Sequence, residues 1–120
     1  MSGTVLKTAL LAALMSTTAI VGARADITVG FITSMSGPVS SIGIPYSRGI
    51  KAGEAHIGEV GGQKFKVIAL DDASDVSNAS KLARKLIEED KVDVLIGTAG
   101  APGSAAIMAV ATEMKVPVVG

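Results

Sequence analysis

Beyond residue 26 the chain alternates between two spacings of apolar positions. Ile27–Ile32, Phe65–Asp71, Val92–Ile96 and Val116–Val119 are short, dense runs rich in Val and Ile, without a long polar-alternating face. Parallel strands buried on both sides have that pattern. Three stretches of helical period separate them. In Asp75–Asp90, Val76, Ala79, Leu82, Ala83, Leu86 and Ile87 form one apolar stripe, and Lys81, Arg84, Lys85, Glu88 and Glu89 cover the remaining surface. Asp75 suits an N-cap, because its carboxylate accepts from the first free amides. A first helix is predicted over Pro45–Gly58, where Gly49 and Gly53 each cost about 1 kcal/mol relative to Ala. Their four-residue spacing sets both on one face, open to close approach by another element. A third, Ala-rich helix over Gly103–Met114 should lie flat on the sheet. Gly61-Gly62 turns the chain ahead of the second strand.

The order β-α-β-α-β-α-β predicts an α/β fold, an open parallel sheet with helices on both faces and right-handed crossovers. There is no internal repeat. The chain stops at Gly120, directly after the fourth strand, which reads as part of a larger domain.

Residues 1–25 break this pattern and read as an export signal. Lys7 is the single charge of a short basic start, and Thr8–Val21 is apolar. Ala23-Arg24-Ala25 offers the small-x-small cleavage pattern. At about 14 residues the apolar stretch falls short of the ~20 that span a bilayer, and Ser16-Thr17-Thr18 interrupts it. Cleavage after Ala25 leaves residues 26–120 as the folded unit, the N-terminal part of a ligand-binding lobe.

Composition narrows the chemistry. The 11 basic and 11 acidic residues balance, and loss of Lys7 and Arg24 leaves a net charge of −2, so nucleic acid is not an expected partner. No cysteine is present, so the fold relies on its core rather than on covalent staples. With Phe31, Tyr46 and Phe65 the only aromatics, that core is aliphatic. His56 is the lone histidine and reads as a surface residue; a metal centre is poorly supplied.

Ligands of open α/β sheets sit beyond the carboxyl ends of the strands, where strand order reverses. An order of 2-1-3-4 puts that point between the first and third strands, whose following loops are Thr33–Ile44 and Gly97–Ser104. These are the loops richest in Gly and Ser. The first carries Ser34, Ser36, Ser40 and Ser41, and the second carries Thr98, Ser104 and the small residues Ala99, Gly100 and Ala101. Both lead into helix N-termini, which favour carboxylate or phosphate. Tyr46 is a candidate for the crevice mouth. Asp71, Asp72 and Asp75 could hold a hard cation but lack EF-hand spacing; solvated caps of the next helix are the simpler reading. The G-x-x-G-x-x-G of Gly97–Gly103 follows the third strand and is not the dinucleotide fingerprint. Neither a phosphate loop nor a nucleophile elbow occurs, so no enzyme and no cofactor is expected.

Ile27–Val39 resembles the opening of the branched-chain amino-acid (leucine-binding-protein-like) periplasmic binding proteins of ABC transporters. The similarity continues in order through Gly43, Gly49, Gly61-Gly62, Asp71–Asp75, Ala83–Gly97 and Val116–Gly120. The resemblance implies the first lobe of a two-lobed, type I periplasmic binding fold that closes on an amino acid or related small carboxylate and docks on a membrane permease. It also implies that the loops after the first and third strands hold the ligand, through Ser36, Ile42, Thr98, Ala99, Gly100 and Ala101. Leucine-binding members have an aromatic where Ile42 stands and a hydroxyl near Ala101, so the ligand here can differ from leucine. Three alternatives stay open: a ligand-sensing lobe of a receptor, an exported α/β enzyme with catalytic residues beyond Gly120, and a truncated product without function.

Overall fold

A computed structural model describes residues 25–120; the export-signal reading, apart from Ala25, falls outside the described residues. The elements run β1 (Ile27–Thr33), α1 (Ser40–Ile57), β2 (Glu59–Val60), β3 (Gln63–Asp71), α2 (Val76–Glu88), β4 (Val94–Ile96), α3 (Ala101–Met114) and β5 (Val118–Val119). They build one sheet in the order β2-β3-β1-β4-β5. β1 is central and parallel to both neighbours, with Phe31 opposite Ala69 of β3 and Ile96 of β4; β4 and β5 are also parallel. The four parallel strands thus follow the predicted 2-1-3-4 order.

One correction concerns the sheet's edge. β2 pairs antiparallel with β3, Glu59 facing Lys64, so the sheet is mixed and mainly parallel. Gly61 and Gly62 adopt φ of 59° and 81°, the conformation a two-residue hairpin requires. β2 escaped notice because two exposed residues carry no periodicity. Among the described residues no strand pairs with this edge of β3 beyond the short hairpin, and Glu54 of α1 caps it by accepting from the Val67 amide at 2.8 Å.

The core lies between the sheet and α2/α3. Ile32, Leu95, Ala79, Ala83, Leu86, Ile107, Val110 and Ala111 pack there, all buried. Ala79, Ala83 and Leu86 recur at helical spacing, as the stripe predicts, but Val76 at its start is 45% exposed. Asp75 caps α2, its carboxylate accepting from the Asn78 amide at 2.6 Å. α3 packs beside α2 over this face, joined to it by an Arg84–Glu113 ion pair at 2.7 Å. Lys115, at φ 57°, ends α3 in the left-handed conformation.

α1 covers the opposite face over β1 and β3 and begins five residues before the predicted start, with Pro45 inside it. The cause is long-range. The Ser74 hydroxyl accepts from the Val39 amide at 3.2 Å, while Gly37 at φ 81° turns the chain into the helix. Gly43 then lies so close to the Ser34 carbonyl that a Cβ would collide with it. Gly49 and Gly53, expected to admit a close neighbour, face open space instead.

Candidate functional site

At the carboxyl ends of β3, β1 and β4 the loops enclose a cleft of about 180 Å³. Ser34, Pro38 and Val39 line it from the β1–α1 loop, and Asp72, Ser74, Asp75 and Val76 from the β3–α2 loop. Thr98, Gly100, Pro102 and Gly103 complete it from β4 and the start of α3. Its position is the strand-order reversal that the sequence indicates. The third contributor, the β3–α2 loop, is the part that sequence reasoning set aside.

Asp72 is the floor. It is 2% exposed rather than solvated, and it receives one hydrogen bond from each of the three loops. The Ser34 hydroxyl donates to Oδ1 at 2.6 Å, the Ser74 amide to Oδ1 at 2.8 Å, and the Thr98 hydroxyl to Oδ2 at 2.6 Å. A buried carboxylate without partners would be costly, so these bonds are a condition of its burial. The signal available in the sequence was Asp71-Asp72 ending a strand beside two hydroxyl-rich loops. Its partners, 38 and 26 residues away, give no local pattern.

Asp71 performs a parallel task one residue earlier. It accepts from the Met35 amide at 2.8 Å, the Ser36 amide at 3.2 Å, the Ser36 hydroxyl at 2.7 Å and the Ala73 amide at 2.9 Å. Partial burial acts to raise its pKa, but these hydrogen bonds, Ser36 foremost, together hold it below the ordinary value of 3.8. Asp75 is also held low, chiefly by the Asn78 amide. Ala73 and Ser74 both sit at positive φ, 55° and 63°, a conformation that disfavours side chains. The amides that this bend presents are those taken by Asp71 and Asp72, which offsets the strain. Among the described residues, no group of three His, Asp or Glu side chains is placed to hold a metal ion.

The sequence-read site residues separate in space. Thr98 and Gly100 line the cleft. Ser36 is exposed beside it, with its hydroxyl on Asp71 and its carbonyl accepting from the Ser74 hydroxyl at 2.8 Å. Ile42 lies in the first turn of α1, 43% exposed, and Ala99 and Ala101 flank Gly100; none of these three lines the cleft. Tyr46 belongs to the other face, where Phe31, Pro45, Gly49, Ile50 and Ile96 join it around an open apolar hollow of about 340 Å³. His56 is exposed on α1.

The start of α3 lies beside the Asp72 floor. Gly103, in the first turn of α3, lies where a Cβ would come within 2.6 Å of Thr98 Cγ2, so its lack of a side chain seats the helix start against the floor. The Ala101 and Gly103 amides at the start of α3 have no intrahelical acceptor, Pro102 carries no N–H, and a helix start of this kind favours an anion. Apolar Pro38, Val39, Val76 and Pro102 line the rest of the cleft. Such a site, polar at its floor and apolar along its walls, suits a small molecule with both polar and apolar parts.

Residues 26–120 match the model of the family described as periplasmic binding protein. An amino acid binding protein of Pseudomonas aeruginosa is 31% identical over 62% of this chain and 21% of its own length. The branched-chain amino acid transporter substrate binding protein LivJ of Streptococcus pneumoniae, solved with isoleucine, superposes with a TM-score of 0.74. It is 27% identical over 78% of this chain and 28% of that one. A solute binding protein of an ABC transporter from Rhodopseudomonas palustris BisB5, solved with 3,4-dihydroxybenzoic acid, gives a TM-score of 0.71. It is 38% identical over 78% of this chain and 26% of that one. The chain thus spans about a quarter of the length of the proteins it matches. With its mainly parallel α/β lobe and its cleft at the strand ends, this chain belongs to the periplasmic binding protein family.

Proposed function

We propose that this chain forms part of the first lobe of the exported, non-enzymatic solute-binding component of an ABC importer. Its ligand is an amino acid or related small carboxylate held between two lobes, and its partner is a membrane permease. The observation that carries this reading is the cleft at the ends of β3, β1 and β4, walled by the start of α3 and floored by the buried Asp72. The kinship with solute-binding proteins for both isoleucine and an aromatic acid supports a carboxylate as the common feature. Export to the periplasm with cleavage after Ala25 fits the start of β1 two residues later, and an intact mass beginning at Asp26 checks it.

In this reading Thr98, Ala99, Gly100 and Ala101 bring the α3 amides to the carboxylate. Ser36 and Ile42 act at the rim, where the second lobe closes. Two or three charge-assisted hydrogen bonds supply about 1.5–3 kcal/mol each, against an association cost of roughly 4–15 kcal/mol. This lobe alone therefore binds at millimolar strength or weaker, a range that NMR titration reads. Isoleucine or 3,4-dihydroxybenzoate should shift the amides of Thr98, Ala99, Gly100, Ala101 and Gly103 in the 15N-labelled chain. Unmoved cleft amides at tens of millimolar of amino acids and aromatic acids alike would sink the reading.

A further inference from the structure

Beyond the β2 hairpin, β3 is the outer strand of the sheet, and its backbone shows how that edge is closed. The even-numbered residues of β3 face β1, and the next in that series, Asp72, donates its amide to the Thr33 carbonyl at 3.1 Å. Phe65, Val67 and Ala69 therefore turn their amides and carbonyls outward. The Phe65 amide donates to the Gly58 carbonyl at 3.0 Å, where the hairpin ends. The Val67 amide is taken by a side chain, Glu54 Oε1 of α1, at 2.8 Å. Among the described residues no ion pair competes for that carboxylate. Lys64 and Lys66 are exposed on the same stretch. An outward row of amides and carbonyls is a template for another strand, and charge or a covering contact blunts it.

We infer that Glu54 guards the β3 edge: by filling the hydrogen-bonding position of the Val67 amide, it keeps a second copy of this chain from adding its own β3 to the sheet. A second copy is the occupant that fits. Two identical edges related by a twofold axis run antiparallel and offer each other the same outward amides and carbonyls. For that pair to form, Glu54 has to leave the Val67 amide and its carboxylate has to clear the path of the incoming strand. The pair contains two such positions, so the block acts twice. Glu54 and Val67 do not line the cleft, and the inference is independent of what the cleft binds.

The test is amide hydrogen exchange by NMR on the 15N-labelled chain at low and high protein concentration, with light scattering for the mass. In the wild type the Ala69 amide should exchange at a rate independent of concentration. In Glu54→Ala its exchange should slow at least about tenfold as concentration rises, in step with the appearance of dimer. Glu54→Gln keeps an oxygen for the Val67 amide and should behave as the wild type. A purely structural role for Glu54 changes exchange equally at every concentration. A folded Glu54→Ala whose Ala69 exchange ignores concentration overturns the inference, as does a wild type that associates through Ala69 equally well. Association of Glu54→Gln to the extent of Glu54→Ala overturns it too. So does association that protects only Val118, whose amide faces away from β4 at the opposite edge. If Glu54→Ala fails to fold, Glu54→Asp, one methylene shorter, decides by the same readout.

Discussion

Asp71 and Asp72 are neighbours in sequence, yet they grip different parts of the loop cluster. Asp71 holds the backbone of residues 35, 36 and 73, and Asp72 orients the hydroxyls of Ser34 and Thr98. Because the hydrogen bonds of Asp71 favour its charged form, its folded pKa lies below the unfolded one. Its stabilising contribution is therefore complete above the ordinary value near 3.8 and is lost as the pH falls through the lower folded value. We predict that thermal melts between pH 2 and pH 6 show a steeper acid loss for the wild type than for Asp71→Asn. Parallel curves would refute that role. This residue-scale chemistry was only partly legible beforehand. The hydroxyls of Ser34 and Thr98 stood in loops already marked as Ser- and Gly-rich. The buried state of Asp72 was not, because burial depends on which loops the sheet brings together, and a carboxylate at a strand end reads locally as a cap.

At the scale of elements, legibility followed how local the forces are. α2 was readable nearly to its ends, because its stripe of Ala79, Ala83 and Leu86 and its cap Asp75 all lie within the helix or beside it. Replacing Asp75 by Ala removes the bond to the Asn78 amide and should lower unfolding free energy by ~1 kcal/mol. Urea denaturation should show this as a shifted midpoint with unchanged slope; an unshifted midpoint would count against the cap. α1 was placed late because the features that start it early are tertiary: Ser74 on the Val39 amide and Gly43 against the Ser34 carbonyl. Propensity placed the helix start at Pro45, whereas these contacts begin it at Ser40 and tolerate Pro45 inside. β5 shrank to Val118–Val119 for a related reason, since an edge strand is only as long as the partner that pairs with it, and β4 offers three residues.

For the molecule as a whole, the cleft exists only when three separate β-loop-α units are side by side, so a ligand in it is bound to the assembled sheet rather than to any one loop. Such a ligand stabilises the native state globally by mass action. The central position of β1 carries a kinetic consequence. Its pairings reach residues 38 and 65 positions away, Ile27 with Phe65 and Val29 with Val94, so both its edges stay unsatisfied until the chain has closed two long loops. Loop closure of that length costs entropy before any pairing returns free energy. The rate-limiting step is then the capture of β1 between β3 and β4, with β5 added afterwards. We predict that Val29→Ala slows refolding, while Val118→Ala leaves the refolding rate nearly unchanged and speeds unfolding; stopped-flow chevrons that split the two alike would rule this order out. The earliest strand of the folded unit is thus the one that waits longest for its neighbours, and the time spent waiting sets how long its apolar Ile27–Ile32 segment is open to misassociation.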